Sequence, residues 1–99
     1  MFKCKVTVSN MTSPNSGREV SNQFIVRQEV GNSIDCEYFQ SYNTIIVKRD
    51  FKKQIIYLDK NSWNYSKTTG KYRNRYLGET IKETRENIKS GRYILADLN

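Results

Sequence analysis

The 99-residue chain has no histidine, one proline and two cysteines. Without histidine, the most common general acid–base is missing, and Ser–His or Cys–His nucleophile pairs cannot be built. Two cysteines also fall short of the three or four ligands that a structural zinc site needs. The sequence therefore predicts a protein that is not an enzyme and that uses no metal or other cofactor.

Glycine motifs that cradle phosphates are missing too. The chain has neither a G-x-x-x-x-G-K-[ST] loop nor a G-x-G-x-x-G turn, and one glycine at Gly70 cannot form such a cradle alone. Asp35 and Glu37 flank Cys36 and would share one face of a strand, where paired carboxylates can do acid–base or metal chemistry. For charged residues at alternating positions, we favour a solvated strand face.

Long apolar runs are absent, and the first residues lack the apolar stretch of a signal peptide. We therefore expect a cytoplasmic protein that does not enter the membrane, with Cys4 and Cys36 as buried free thiols. A chain of 99 residues is expected to form a single α+β domain, residues 1–99, with a thin core. Self-association as a homo-oligomer would add to its modest stability.

The positive charge is concentrated in one part of the chain. The formal net charge is +7, and residues 60–92 carry nine basic against three acidic side chains. A basic excess favours phosphate backbones, acidic protein surfaces or anionic headgroups as partners. A lysine-rich surface that only keeps the protein soluble is an equally good interpretation.

Apolar and polar residues alternate at the start of the chain. Phe2, Cys4, Val6 and Val8 would share one face of a strand over residues 2–9, with the polar residues on a solvated face.

Further strands follow a polar segment. Residues 10–21 have the composition of a surface loop. Strands are then predicted at residues 23–30, 34–42, 44–49 and 54–58. Because the links are short, we expect an antiparallel meander of four to six strands.

Two helices are predicted after the meander. The first runs over residues 67–77 and is capped by Ser66. The second occupies residues 80–90 and begins with a capping box of Thr80 and Glu83. A short strand near Tyr93 is expected to end the fold. The predicted class is thus α+β, an antiparallel meander followed by two C-terminal helices.

Aromatic and basic residues alternate between Trp63 and Tyr76, as in single-stranded nucleic-acid binding, where rings stack on bases and cations contact phosphates. A helical projection turns the helix tyrosines toward the sheet, with no stacking platform left beside the basic residues. The candidate partner or nucleic-acid contacts are Lys67, Lys71, Arg73 and Arg75. Core tyrosines and a solvated basic face explain the segment at least as well.

A second candidate is the corner formed by Gln40, Tyr42 and Asn43, between two predicted strands. Its polar groups could satisfy a tight turn or present directional hydrogen bonds to a partner. The turn is the favoured interpretation.

Three groups of residues together resemble a known family. They are Asn22-Gln23-Phe24, Phe39-Gln40-Ser41-Tyr42-Asn43, and Trp63-x-Tyr65-Ser66-x-Thr68-Thr69-x-x-Tyr72 followed by Leu77-Gly78. As a set they resemble a family of small uncharacterised proteins encoded by bacteriophages and other mobile elements. The resemblance brings no catalytic residues. It implies a phage-type protein that works in the cytoplasm of a bacterial host cell.

By analogy, this resemblance makes an anti-CRISPR-like inhibitor of a bacterial defence system the leading expectation. Such an inhibitor would occlude a functional surface of a bacterial host protein. Because the chain is basic, it would contact an acidic patch, or protein and nucleic acid together in a nucleic-acid-bound effector complex. The alternative is a nucleic-acid-binding accessory or regulatory protein that uses residues 60–92.

Overall fold

The computed structural model describes residues 3–99 and shows a six-stranded sheet in the order β1-β2-β3-β4-β5-β6. The elements are β1 (Cys4–Thr12), β2 (Glu19–Val30), β3 (Ser33–Ser41), β4 (Thr44–Asp50), β5 (Ile55–Asp59), α1 (Lys67–Leu77), α2 (Ile81–Lys89) and β6 (Tyr93–Ala96). The α+β class, with a mostly antiparallel sheet followed by two helices, is confirmed. Phe2, which the sequence placed in the first strand, lies outside the described residues.

The first five strands form the predicted antiparallel meander. The last strand is different, because β6 pairs parallel with β5, with Ile56 opposite Tyr93 and Asp59 opposite Ala96. Two neighbouring parallel strands need a long crossover, and α1 and α2 provide it. The short final strand expected near Tyr93 therefore follows the helices and joins the sheet in parallel, which the sequence did not predict.

The loop predicted at residues 10–21 is much shorter in the structure. β1 continues to Thr12 and β2 begins at Glu19, so half of the segment lies in strands and only residues 13–18 form the connection. The Asn10 side chain donates to the Val20 carbonyl at 2.9 Å, and Met11 is buried. Composition alone missed this pairing, because polar residues at the end of a two-stranded ribbon have the same composition as a loop.

Both helix starts were predicted correctly. At α1, the Ser66 hydroxyl accepts from the Thr69 N–H at 3.1 Å. At α2, the Thr80 hydroxyl accepts from the Glu83 N–H at 3.2 Å, while the Glu83 carboxylate accepts from the Thr80 N–H at 3.1 Å. This reciprocal arrangement is the predicted capping box.

The helices cover one face of the central strands. Phe39, Val47 and Leu58 are fully buried there, together with Tyr72 from α1. The Tyr76 ring stacks on Phe39, with the ring centroids 5.8 Å apart. The helix tyrosines thus pack on the sheet, as predicted.

The outer strand β1 does not have the predicted buried face. Val6 and Val8 are 59% and 61% exposed, and Cys4 is exposed as well. Cys36, in contrast, is buried, and both thiols are free. The prediction fails for β1 because its valines lie on the sheet face opposite the one that α1 covers, and because the strand lies at the sheet edge.

Candidate functional site

An open groove of about 640 Å³ runs along the first half of α1. The segment before the helix forms one side, with Asn64 and Tyr65, and Ile81 of α2 contributes to the lining. Two of the predicted contact residues, Lys67 and Lys71, line this groove, and both are exposed. The N-terminal end of a helix also carries a partial positive charge, and the first turn of α1 has no acidic residue to offset it.

Arg73 was predicted as a surface contact, and this prediction is wrong because the side chain is only 1% exposed. Its Nη1 donates to the Trp63 carbonyl at 2.6 Å and to Asn64 Oδ1 at 3.2 Å, and its Nη2 donates to Asn74 Oδ1 at 2.8 Å. The guanidinium also lies 5.4 Å from the Trp63 ring centre. Arg73 therefore ties the segment before α1 to the helix.

The Arg73 charge has no carboxylate partner. The ion pairs within residues 3–99 are Arg27–Glu37 and Lys52–Asp35. Burial lowers the pKa of the Arg73 guanidinium, an effect that the charge of Glu79 opposes. Since an arginine stays protonated in proteins, the lining of the groove includes a buried positive charge.

Arg75 lies away from the two lysines. Its Nη2 donates to Thr12 Oγ1 at 3.3 Å, so the side chain extends toward the β1–β2 ribbon. It lines a separate cavity of about 460 Å³ with Glu37, Arg49 and Tyr76. The basic stripe predicted from the helical projection is therefore divided between two places on the surface.

The corner between β3 and β4 adjoins the start of α1. The Ser41 and Thr69 hydroxyls are 2.8 Å apart and fully buried, which joins the corner to the first helical turn. The Gln40 side chain donates to the Tyr42 carbonyl at 2.8 Å, a contact within the turn as the favoured interpretation predicted. Tyr42 and Asn43 are exposed.

The structure supplies an aromatic group that sequence reasoning missed. Tyr65 is 51% exposed and lines the groove with Lys67 and Lys71. On the adjoining corner, Tyr42 is 49% exposed. The sequence did contain a signal. Tyr65 precedes the N-cap Ser66 and is therefore not part of the helix, so the projection that turns the helix tyrosines inward does not apply to it.

The two neighbouring carboxylates have structural partners. Glu37 is buried, and its Oε2 accepts from Arg27 Nε and Nη2 at 3.0 and 2.9 Å. Its Oε1 accepts from the Tyr76 hydroxyl at 2.7 Å, and burial together with this bond raises the pKa of Tyr76. Asp35 pairs with Lys52 at 3.1 Å. The predicted solvated face is wrong for Glu37, because α1 packs over it.

Two further properties hold across residues 3–99. No group of three or more cysteine, aspartate or glutamate side chains is placed to hold a metal ion. In the same part of the chain, neither helix has the length and apolar character needed to cross a membrane.

The residues behind the family resemblance meet in space. Gln23 lies opposite Ser41 across β2 and β3, and Ser41 touches Thr69. All three are fully buried, and no hydrogen-bond partner for the Gln23 amide lies within the described part of the chain. Asn22 and Tyr42, at the same end of these strands, have positive φ values of 65° and 55°. These motifs form the joint between the sheet and α1.

Fold and groove together define a small α+β protein with an open basic groove beside a helix start. The chain belongs to DUF8033, a family of unknown function whose model matches residues 6–93. This match includes the groove and the β3–β4 corner. No curated protein and no solved structure matches the chain.

Proposed function

We propose that this protein is a non-catalytic nucleic-acid-binding accessory or regulatory protein that holds a single strand along the α1 groove. The observation that carries the proposal is the meeting of Tyr65, Lys67 and Lys71 in one open groove. A base can stack on an exposed tyrosine ring while ammonium groups contact the flanking phosphates.

The hydrogen-bonding groups of the groove also suit a phosphate or a base. Arg73 binds the side-chain oxygens of Asn64 and Asn74. Because the oxygens of both amides accept from Arg73, their NH₂ groups are the donors that remain for acceptor oxygens of a ligand. Within residues 3–99, no carboxylate is among the side chains that line the groove, so the lining itself does not repel an anion.

The test is the affinity for fluorescent single-stranded DNA and RNA over a range of salt concentrations. Lys67→Glu with Lys71→Glu should weaken binding and make the salt slope shallower by about 0.7 for each lost phosphate contact. Lys53→Glu with Lys89→Glu is the matched control, because both lysines are exposed, lie outside the groove lining and change the net charge equally.

The stacking role is tested at Tyr65. Tyr65→Leu should weaken binding about 5- to 150-fold, the worth of roughly 1–3 kcal/mol of base stacking. Tyr65→Phe keeps the ring and should bind like wild type.

Two results would refute the proposal. One is an equal loss of affinity in the groove and control lysine variants, and the other is no binding of either nucleic acid by wild type.

The second candidate is the inhibitor of a bacterial defence system, acting in the host cytoplasm on a host protein or nucleic-acid-bound effector complex. Beyond the phage-type resemblance, it is favoured by Tyr42, a half-exposed aromatic in the β3–β4 turn, whose carbonyl accepts from the Gln40 side chain. Exposed, rigidly held tyrosines are typical anchors of protein interfaces.

Capture from a bacterial lysate, with and without nuclease, separates the two candidates. An inhibitor that docks on an acidic protein surface should keep its partner after nuclease treatment, and nucleic acid should compete poorly. Loss of the captured protein after nuclease would favour the nucleic-acid-binding function.

A further inference from the structure

The outer edge of β1 has an unusual combination of length, exposure and sequence. The strand is nine residues long and lies at the edge of the sheet, where β2 is its only partner among the strands of residues 3–99. Residues 4–9 are exposed throughout, and the Val6 and Val8 side chains lie on one face. Long, flat, apolar edges are sites where another strand can add. The opposite edge, β6, has only four residues.

The backbone groups that β1 turns outward can be identified. Cys4 is opposite Val30, and the Gly31 N–H donates to the Lys3 carbonyl at 2.9 Å. In an antiparallel ladder, a bond between these flanking residues means that Cys4 and Val30 form a non-hydrogen-bonded pair. The N–H and C=O of Cys4 therefore point away from β2. By the two-residue repeat, those of Val6 and Val8 do so as well, since the register is regular up to Asn10.

We propose that two copies of this chain associate through β1, in an antiparallel pair centred on Val6. The two sheets then become one continuous sheet, with Val6 opposite Val6 and Cys4 opposite the second copy's Val8. These three pairs would exchange about six backbone hydrogen bonds.

The positions of the lysines and of the apolar residues along β1 favour this register over its neighbours. Lys5 is then opposite Thr7 and Lys3 opposite Ser9, so no lysine faces a lysine. Centring the pair on Lys5 would place two like charges opposite each other, which is destabilising. Centring it on Thr7 would place Cys4 opposite Asn10, beside the irregularity between Asn10 and Thr12. Centring on Val6 instead pairs all the exposed apolar residues of the strand with one another.

The first experiment is a mass measurement by analytical ultracentrifugation. Wild type should sediment at twice the chain mass of 11.7 kDa. Val6→Lys places two lysines opposite each other and should halve that mass. Ile94→Lys, a matched change at the exposed β6 edge, should leave the dimer intact. Circular dichroism would show that both variants keep the fold.

The second experiment tests the register. The paired residues of a hydrogen-bonded antiparallel pair have Cα atoms about 5.5 Å apart, within the range of a disulfide. Val8→Cys should therefore form a disulfide with Cys4 of the second copy under mild oxidation. Thr7→Cys places its thiol on the opposite face and should form no more disulfide-linked dimer than wild type. Cys36 is buried and should not interfere.

Three results would overturn the proposal. They are a monomeric wild type over the accessible concentration range, a dimer that survives Val6→Lys, and equal cross-linking of Val8→Cys and Thr7→Cys. In the first case, capture of another protein through β1 would show that the added strand comes from a different partner.

Discussion

The first strand exposes its valines, whereas the third strand buries a carboxylate. Val8 on β1 is 61% exposed, but Glu37 on β3 is 7% exposed and contacts Arg27 and Tyr76. Residues alternate in both strands, so alternation alone does not decide which face is buried. Both the face and the position in the sheet differ. Glu37 lies on the face that α1 covers, whereas Val8 lies on the opposite face of the edge strand β1.

The largest difference in stability between β3 and β1 is expected when one apolar residue of each strand is truncated. Phe39→Ala should lower the free energy of unfolding by about 3–5 kcal/mol, because Phe39 is fully buried against Tyr76. Val8→Ala should change the stability of the folded chain by no more than about 0.5 kcal/mol in conditions where the protein is monomeric. Urea denaturation measures both. Similar losses would mean that β1 is covered after all.

The buried carboxylate should matter less than the aromatic core, but more than its exposed neighbour. Glu37→Gln replaces an acceptor oxygen with an NH₂ group facing donors of Arg27 or Tyr76, and should cost about 1–3 kcal/mol. Asp35→Asn weakens a pair with the exposed Lys52 and should cost less than about 1 kcal/mol. Denaturation midpoints that rank the two variants in reverse would contradict the assignment of Glu37 to the covered face.

The last comparison concerns the helical crossover, where the expected loss is smaller than for Phe39 and lies at the low end of the range for Glu37. Thr80→Ala removes the hydroxyl that caps α2 and should destabilise the protein by about 1 kcal/mol. Thr80→Ser keeps the hydroxyl and should cost markedly less. If chemical denaturation gives the same midpoint for wild type and Thr80→Ala, the cap contributes nothing to stability.

The sequence predicted the two lysines of the candidate site. It did not predict which other residues line the groove or that Arg73 is buried. Lys67 and Lys71 follow from a helical projection, and both line the groove. Arg73 was misplaced because the segment before α1 folds back over it and binds its guanidinium through Trp63 and Asn64. A projection describes one helix and contains no information on what packs against it.

Local chemistry was enough for the sequence to determine where both helices and the strands after β2 lie. The bounds of α1 and the capping box of Thr80 and Glu83 depend on side chains within a few residues of the backbone groups that they satisfy. The first four strand pairings follow from short links, since neighbouring strands joined by tight turns pair antiparallel.

Only the tertiary structure decided which surfaces are covered and which residues meet. The parallel pairing of β6, the exposure of Val6 and Val8, and the meeting of Tyr65 with the lysines all depend on where the two helices lie on the sheet. That placement is set by contacts between distant parts of the chain, such as Ser41 with Thr69. Residue spacing within one segment does not encode such contacts, because they form only when the elements pack together.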